Sequence, residues 1–320
     1  MQIHGKEEQD RAISAFTTWE ISFQQFTCSR PQTTQEVGHF LTLSAFLDPS
    51  HIGESIFRYH WEEAAARPAW MRIFAATGET ASDEKSSSGK DVGVEDDDAD
   101  HVNLDDLEQR AWDGERFWDL ITKAHTLSLL ESISSDSSER GVNFSLHPLI
   151  RDWLQLREKA EQRRGYTQEA IDFVVSAIRV YETISTTYFQ KGLLAAHADA
   201  CVLNNERFSA GTQALGRDIA NCDAASWLAR FYQDQGRYGI SEKLESLSLK
   251  IRETVLGKEH PDTLTSMNNL ALVLWNQDRL EETSRLEIRV LETRMKLLGS
   301  AHPDTLTSMV NLAYTRKSQG

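Results

Sequence analysis

The chain has 320 residues and a formal net charge of −15, and 40% of its residues are hydrophobic. This length suffices for roughly two or three domains with real cores, and the acidic balance disfavours nucleic-acid binding because phosphate backbones are repelled. The N-terminus, MQIHGKEE, lacks the apolar stretch of a signal peptide, and no run reaches the roughly 18 apolar residues of a membrane helix. Three cysteines without a CxxC pair are typical of a reducing compartment. We therefore expect a cytoplasmic protein without a membrane segment.

The first part of the chain, residues 1–77, is predicted to form amphipathic helices. Apolar residues recur at helical spacing over 14–26, 34–47 and 50–66. The composition then changes, because residues 78–103 are Ser, Gly, Asp and Glu with almost no apolar side chain. Such a segment cannot bury a core, so we predict a disordered acidic insertion. Its acids lack the DxDxDG spacing of a calcium loop, and no metal site is predicted.

Apolar residues return after the insertion, in residues 104–160. Their spacing predicts a helix over 117–130, which a polar loop, SSDSSERG, follows. The alternation in VNFSL, residues 142–146, predicts a short strand, and Pro148 suits the first turn of another helix. Helices followed by a hairpin-like strand and a further helix predict a mainly α, winged-helix-like domain, made of 1–77 and 104–160.

The clearest signal is an internal repeat. GKEHPDTLTSMNNLALVLW begins at Gly257, and GSAHPDTLTSMVNLAYTRK begins at Gly299, 42 residues later; a weaker copy lies one period upstream. Each unit predicts a pair of helices, because Pro261 is tolerated in a first helical turn and Gly299 can end the second helix. We therefore predict a helical spacer over 161–225 and an α-solenoid of helix pairs over 226–320.

The repeat resembles tetratricopeptide repeats of the 42-residue kind found in kinesin light chains. The matching runs are LGKEHPDTLTSMNNLA at 256–271 and LGSAHPDTLTSMVNLA at 298–313. The resemblance implies a superhelix whose first helices line a groove for a peptide or a partner helix. It also implies that Asn269 and Asn311 contact the ligand backbone, with Asn276 as a further groove candidate, since an amide offers both donor and acceptor. Alternatively, these amides bond a neighbouring repeat.

The chain ends at Gly320, on the turn that follows a first helix. The last repeat is therefore expected to lack its second helix and to expose Leu306, Met309 and Leu312. A fragment, or a chain whose end is covered by another molecule, would have this feature.

The residues before the repeats resemble the winged-helix region that follows the nucleotide-binding domain in NB-ARC proteins, the NLR-like STAND switches, above all fungal ones with tetratricopeptide repeats. The segments that carry the resemblance are FTTWEISF (16–23), LSAFLDPSHIGESIF (43–57), FSLHPLIRDWL (144–154) and GLLAAHADAC (192–201). It implies a switch that ADP holds closed, in which the His of a Met-His-Asp-like motif contacts the ADP phosphate. His147 is the matching residue, with Pro148 in place of the Asp. Alternatively, His147 caps the following helix or packs structurally.

No motif for catalysis or for a cofactor is found. The closest approach to a phosphate loop, Ser88-Gly89-Lys90-Asp91, lacks the upstream Gly and the Ser or Thr that should follow the Lys. There is no HExxH motif, no Cys/His set and no GxSxG motif. We predict that the protein is not an enzyme and needs no cofactor.

These observations predict a protein–protein interaction scaffold, the regulatory and sensor portion of an NB-ARC-type signalling switch without its own NTPase domain. Its expected partners are a protein or peptide in the repeat groove and the NB-ARC domain of a parent protein. One alternative is a stand-alone adaptor similar to kinesin light chains, which predicts a coiled coil before the repeats. The other is a winged-helix DNA-binding regulator, for which the basic residues of 149–164 would read the bases.

Overall fold

The computed structural model describes residues 16–28, 33–63, 67–76, 110–136, 141–183, 188–208 and 219–320. The chain divides after Cys201 into two compact units. The predicted acidic insertion, 78–103, lies outside the described residues.

The first unit combines helices with a small antiparallel sheet. Its helices are α1 (16–28), α2 (Thr34–Ser44), α3 (Glu54–Glu63), α4 (Gly114–Thr126), α5 (Pro148–Arg157), α6 (Ala160–Thr183) and α7 (Tyr188–Phe208), with a 3-10 helix over Ala69–Phe74. The strands are β1 (Ile52–Gly53), β2 (Ser132–Asp136) and β3 (Gly141–Ser145), in the order β1-β3-β2. Phe144 at the centre of β3 pairs with Ile52 on one side and with Ile133 on the other.

An aromatic cluster holds these elements together. Phe40 of α2 is fully buried, and its ring centroid lies 5.0 Å from that of Phe57, 5.4 Å from Phe74, 5.7 Å from Phe117 and 6.1 Å from Phe144. These five rings come from α2, α3, the 3-10 helix, α4 and β3. Aromatic rings at such separations add specific geometry to a large buried apolar area. The cluster therefore explains why segments on both sides of the predicted insertion form one core.

Two elements of the first unit differ from the sequence prediction. The helix predicted over 50–66 is wrong at its start, because Ile52–Gly53 forms β1 and the helix begins only at Glu54. The loop predicted after α4 is also wrong in part, because Ser132–Asp136 forms β2. Both strands are short, and each is a strand because it hydrogen-bonds to β3. Local periodicity does not encode such a long-range pairing.

The second unit consists of helix pairs. Its helices are α8 (Ile219–Asp234), α9 (Tyr238–Val255), α10 (Pro261–Asn276), α11 (Leu280–Leu298) and α12 (Pro303–Gln319). The predicted helix pairs are confirmed, with α10 and α11 forming one complete 42-residue unit. The predicted spacer, 161–225, contains α6 and α7, but its predicted end falls inside α8.

The same local signals begin and end the repeat helices. The Nδ1 atoms of His260 and His302 accept hydrogen bonds from the backbone N–H two residues later, each at 3.2 Å, and a proline follows each histidine at the first helical position. Gly299 ends α11 with a φ of 86°, the left-handed conformation that glycine adopts without strain. The recurring Gly and His-Pro residues thus mark the ends and the starts of the helices.

Buried apolar residues join successive repeats. The core cluster consists of Leu249, Leu264, Met267, Leu270, Leu274 and Val290. Leu264 is 3% exposed, whereas Leu306, one period later on α12, is 49% exposed as predicted. The predicted exposure of Leu312 is wrong, since this side chain is buried, and Met309 is half-buried. Leu312 takes the place of Leu270, which packs on the side of the preceding repeat, so α11 covers it.

Candidate functional site

The first helices of the repeats, α8, α10 and α12, carry an unburied face at equivalent positions, which we name the first-helix stripe. In α10 the stripe consists of Thr265, Asn268, Asn269, Leu272, Trp275 and Asn276, none of which is buried. These positions lie within about 120° of one another around a helix of 3.6 residues per turn. The residues 42 positions earlier and later form the stripe in α8 and α12. All three first helices therefore present an unburied face at the same positions of the repeat.

Large apolar side chains lie in this stripe. Leu272, Trp275, Val310 and Tyr314 are between 41% and 65% exposed. Several exposed apolar side chains on one face of a soluble protein mark an interaction surface more often than single scattered ones do. Trp and Tyr in particular are enriched among the residues that dominate protein–protein binding energy. The stripe is therefore chemically suited to hold a partner.

Asn269, predicted to contact a ligand, is hydrogen-bonded within the protein. Its Nδ2 donates to Oε1 of Glu245 on α9 at 3.3 Å, and Asn269 itself is half-buried. The other carboxylate oxygen, Oε2, accepts from Ser226 Oγ on α8 at 3.4 Å. Glu245 thus links two successive first helices. The bond between Asn269 and a neighbouring repeat is the alternative that the sequence left open.

Glu245 is an unusual group for such a position, because it is only 2% exposed. Burial raises the pKa of its carboxyl group to about 7, while the hydrogen bond from Asn269, the charge of Arg252 and the hydrogen bond from Ser226 act in the opposite direction. A buried carboxylate is costly unless it is paired and hydrogen-bonded. The site therefore contains a carboxyl group that changes its charge near neutral pH.

Arg252 forms a second link between repeats. It is buried on α9 and donates to Ser266 Oγ of α10 through one terminal nitrogen and to Asp223 Oδ1 of α8 through the other. One period later, Arg294 donates to Ser308 Oγ at 2.9 Å. Sequence reasoning missed Glu245 and Arg252, although a Glu and an Arg recur at these positions of the next repeat and could have identified them.

The other predicted groove residues have different surroundings. Asn311 lies one period after Asn269, yet its side-chain amide makes no hydrogen bond within the described part of the chain. The residue one period after Glu245 is Glu287. Burial raises the pKa of Glu287, and the Thr315 hydroxyl acts in the opposite direction. Asn276 donates through Nδ2 to Leu272 O of its own helix at 2.9 Å. Ligand contact by the three asparagines stays a prediction.

His147, the predicted nucleotide contact, caps a helix. Its Nδ1 accepts the backbone N–H of Leu149 at 3.2 Å, and Pro148 is the first residue of α5. The arrangement is the same as at His260-Pro261, so the His-Pro pair is the sequence signal for a cap. The side chain is exposed shortly after the end of β3, in the first unit, whereas the three asparagines belong to the second.

The described ranges give little support to a metal site, a disulfide or a membrane span. Among the residues that the structure covers, no three His, Cys, Asp or Glu side chains are grouped as metal ligands. Cys28, Cys201 and Cys222 are free thiols. None of the described helices is long and apolar enough to cross a membrane.

Comparison with known families identifies the helix pairs. Two tetratricopeptide-repeat models match the second unit, one over residues 221–282 and the other over residues 263–304. Residues 221–304 carry tetratricopeptide repeats. These repeats indicate a protein–protein interaction scaffold, and proteins built from them are generally not enzymes. The matches begin near the start of α8, so the weak upstream copy is a repeat as well.

The chain is also similar to solved structures. TPR-like repeats of a Podospora anserina protein described as a kinesin light chain share 23% identity, with a TM-score of 0.34, over 52% of this chain and 87% of the other. A form of those repeats in which a methionine replaces one glutamine shares 22% identity over the same portions, also with a TM-score of 0.34. BtubC (BKLC) from P. vanneervenii shares 14% identity, with a TM-score of 0.38, over 64% of this chain and 75% of the other. Among curated proteins, none matches the chain.

Proposed function

We propose that the tetratricopeptide repeats bind a peptide segment of a partner protein along the first-helix stripe. The observation that carries the proposal is the set of exposed apolar residues, Leu272, Trp275, Val310 and Tyr314, beside the amides of Asn269 and Asn311. Apolar anchors would supply most of the binding energy, and the amides would select a peptide backbone. The partner predicted from the sequence, a protein or peptide in the repeat groove, therefore remains part of this proposal.

The proposal can be tested with a peptide selected by phage display on the full chain. The variant Trp275→Ala/Tyr314→Ala should weaken binding of that peptide at least tenfold, since each truncated anchor costs roughly 1 kcal/mol or more. Glu292→Ala, an exposed change on α11, is the matched control and should bind like the wild type. Equal affinity of the double variant and the control, measured by fluorescence anisotropy, would exclude the stripe as the binding surface.

We further propose that the first unit is a winged-helix-like domain and that the chain is the regulatory portion of an NB-ARC-type switch. The order helix, strand, two helices and hairpin, from α2 to β3, supports the winged-helix assignment, as does the sheet order β1-β3-β2. The position of His147 directly after β3 supports the likeness to the Met-His-Asp-like motif. A cytoplasmic location accords with the free thiols.

The nucleotide role of His147 has its own test. The cap uses Nδ1, which leaves Nε2 to meet a phosphate supplied by an NB-ARC domain. When such a domain is joined to the chain, His147→Asn should keep a cap acceptor but weaken ADP binding, whereas Leu149→Ala, a neighbouring exposed change, should not. ADP affinity unchanged by His147→Asn would remove the nucleotide role. ATP hydrolysis by the chain alone would contradict the proposal of a switch portion without an NTPase domain.

The DNA-binding alternative has less support than the scaffold. The exposed positions of α4 include Glu115 and Asp119, which repel a phosphate backbone. Arg157, one of the candidate base-reading residues, lies over the Phe23 ring at 4.0 Å and pairs with Glu20 at 3.4 Å. The kinesin-light-chain-like adaptor shares the proposed groove, and an interaction with a kinesin heavy chain would favour it.

A further inference from the structure

Two asparagines at equivalent positions of the repeat are held differently. Asn269 donates to Glu245, a residue of the preceding repeat, at 3.3 Å. Asn311 stands one period later, and within the described residues it has no such bond to Glu287, the counterpart of Glu245. Glu287 Oε2 is buried without a hydrogen-bond partner there. The Asn and the Glu are therefore hydrogen-bonded to each other in one repeat and not in the next.

The surroundings of the two carboxylates differ. Glu245 also accepts from Ser226 Oγ of α8 at 3.4 Å, whereas the residue one period after Ser226 is Asn268. Thr315 of α12 occupies the position of Val273 in α10, and the Thr315 hydroxyl acts to lower the pKa of Glu287. Glu245 and Glu287 are therefore not equivalent acceptors.

The bond to Glu245 determines how Asn269 presents its amide. An asparagine amide has two N–H donors and one carbonyl acceptor, and free rotation would exchange the positions of its nitrogen and oxygen. Glu245 takes one N–H on the buried side. The charged carboxylate accepts but does not donate, so once Glu245 is deprotonated the reversed orientation would set the Asn269 oxygen against it and is disfavoured. One N–H and the carbonyl oxygen remain, which is the pair that matches a peptide group.

We propose that Glu245 is a positioning residue that locks the Asn269 amide in one orientation, ready for the backbone of a bound peptide, whereas Asn311 is left unlocked. The proposal rests on the proposed peptide-binding function of the stripe. Locking a side chain before binding avoids part of the entropy that binding would otherwise cost. Loss of the lock should weaken peptide binding by about 2- to 10-fold.

The orientation can be observed without any ligand. In the full chain, the side-chain amide signals of Asn269 and Asn311 are assigned in ¹⁵N NMR spectra by the changes Asn269→Asp and Asn311→Asp. The groups that face Glu245 are Asn269 of α10, Ser226 of α8 and Arg252 of α9. The Asn269 amide signal should move between about pH 6 and 8 as its acceptor gains charge, because a charged acceptor makes a stronger hydrogen bond.

Substitutions separate positioning from mere support of the fold. Glu245→Leu should abolish the pH response and the distinct amide signal, whereas Glu245→Gln should keep the bond through its carbonyl oxygen but lose the pH response. An Asn269 signal that ignores both pH and Glu245→Leu would overturn the proposal.

Binding supplies the second arm, with the phage-selected peptide as the probe. Glu245→Leu should lower the affinity about 2- to 10-fold, and Glu245→Gln should restore it only in part, because the Gln amide can pair with either orientation of the Asn269 amide. A peptide that binds the Leu variant and the wild type equally would overturn the positioning role and leave the proposed function standing. If Trp275→Ala/Tyr314→Ala does not weaken binding, the proposed function fails, and the NMR spectra still decide whether Glu245 orients Asn269.

Discussion

The buried carboxyl group of Glu245 makes the stability of the repeats depend on pH. Its pKa is raised by burial from 4.5 to about 7, so the folded repeat holds this proton more tightly than the unfolded chain does. Stability contributed by the proton is present below pH 4.5 and is lost as pH rises through about 7. We predict that replacing Glu245 by glutamine, which resembles the protonated acid, stabilises the repeats at about pH 8 and has little effect at about pH 4.

The magnitude follows from the size of the pKa shift. Each pKa unit corresponds to about 1.4 kcal/mol, so a change from 4.5 to about 7 is worth roughly 3 to 4 kcal/mol at most. Because Glu245 is almost fully buried, solvent screening reduces this figure little. In the Glu245→Gln variant the new side-chain amide can still accept from Asn269, but it adds an N–H that must find a partner, which offsets part of the gain.

Hydrogen–deuterium exchange of α9 and α10 in the full chain measures the effect locally, after correction for the pH dependence of the intrinsic exchange rate. At about pH 8 the exchange of the Glu245→Gln variant should be slower than that of the wild type by roughly tenfold or more, and at about pH 4 the rates should agree. Glu292→Gln is the matched control, because Glu292 is exposed on the next second helix. Faster exchange of the Glu245→Gln variant at the higher pH would refute the reasoning, since it would show that the carboxylate's hydrogen bonds outweigh its burial.

Further predictions concern the links and ends of helices. Arg252→Met should lower the unfolding free energy of the repeats by about 2 kcal/mol in urea titrations, because buried Ser266 loses its donor, and in the Ser266→Ala background the loss should be smaller. Gly236→Val should cost about 1–2 kcal/mol in the same assay, since φ at this turn is 73°, whereas Gly236→Asn should cost less. His147→Ala should lower the thermal stability of the first unit by about 1 kcal/mol through loss of the α5 cap, and His147→Asn should restore it; an equal loss in both variants would contradict the capping role.

Local sequence signals were enough to predict the helix pairs. The His-Pro starts, the glycine ends and the apolar spacing of α10 and α11 act within a few residues, so a short stretch of sequence contains all the partners that these features need. The period of 42 residues then predicts that equivalent side chains share equivalent positions. The mainly α fold could be predicted on this basis, whereas the groove position of Asn269 and Asn311 was predicted from the resemblance to tetratricopeptide repeats.

Long-range neighbours decided the rest. Ile52 is a strand residue because Phe144 lies beside it, and no local period reports that pairing. Asn269 and Asn311 have the same residue type and the same place in the repeat, yet within the described residues only Asn269 is bonded to its facing carboxylate, and that carboxylate also accepts from Ser226 of another helix. The sequence shows which donors and acceptors a side chain has. Its protonation state, its hydrogen-bond partner and its conformational freedom depend on which groups the fold brings within hydrogen-bond distance.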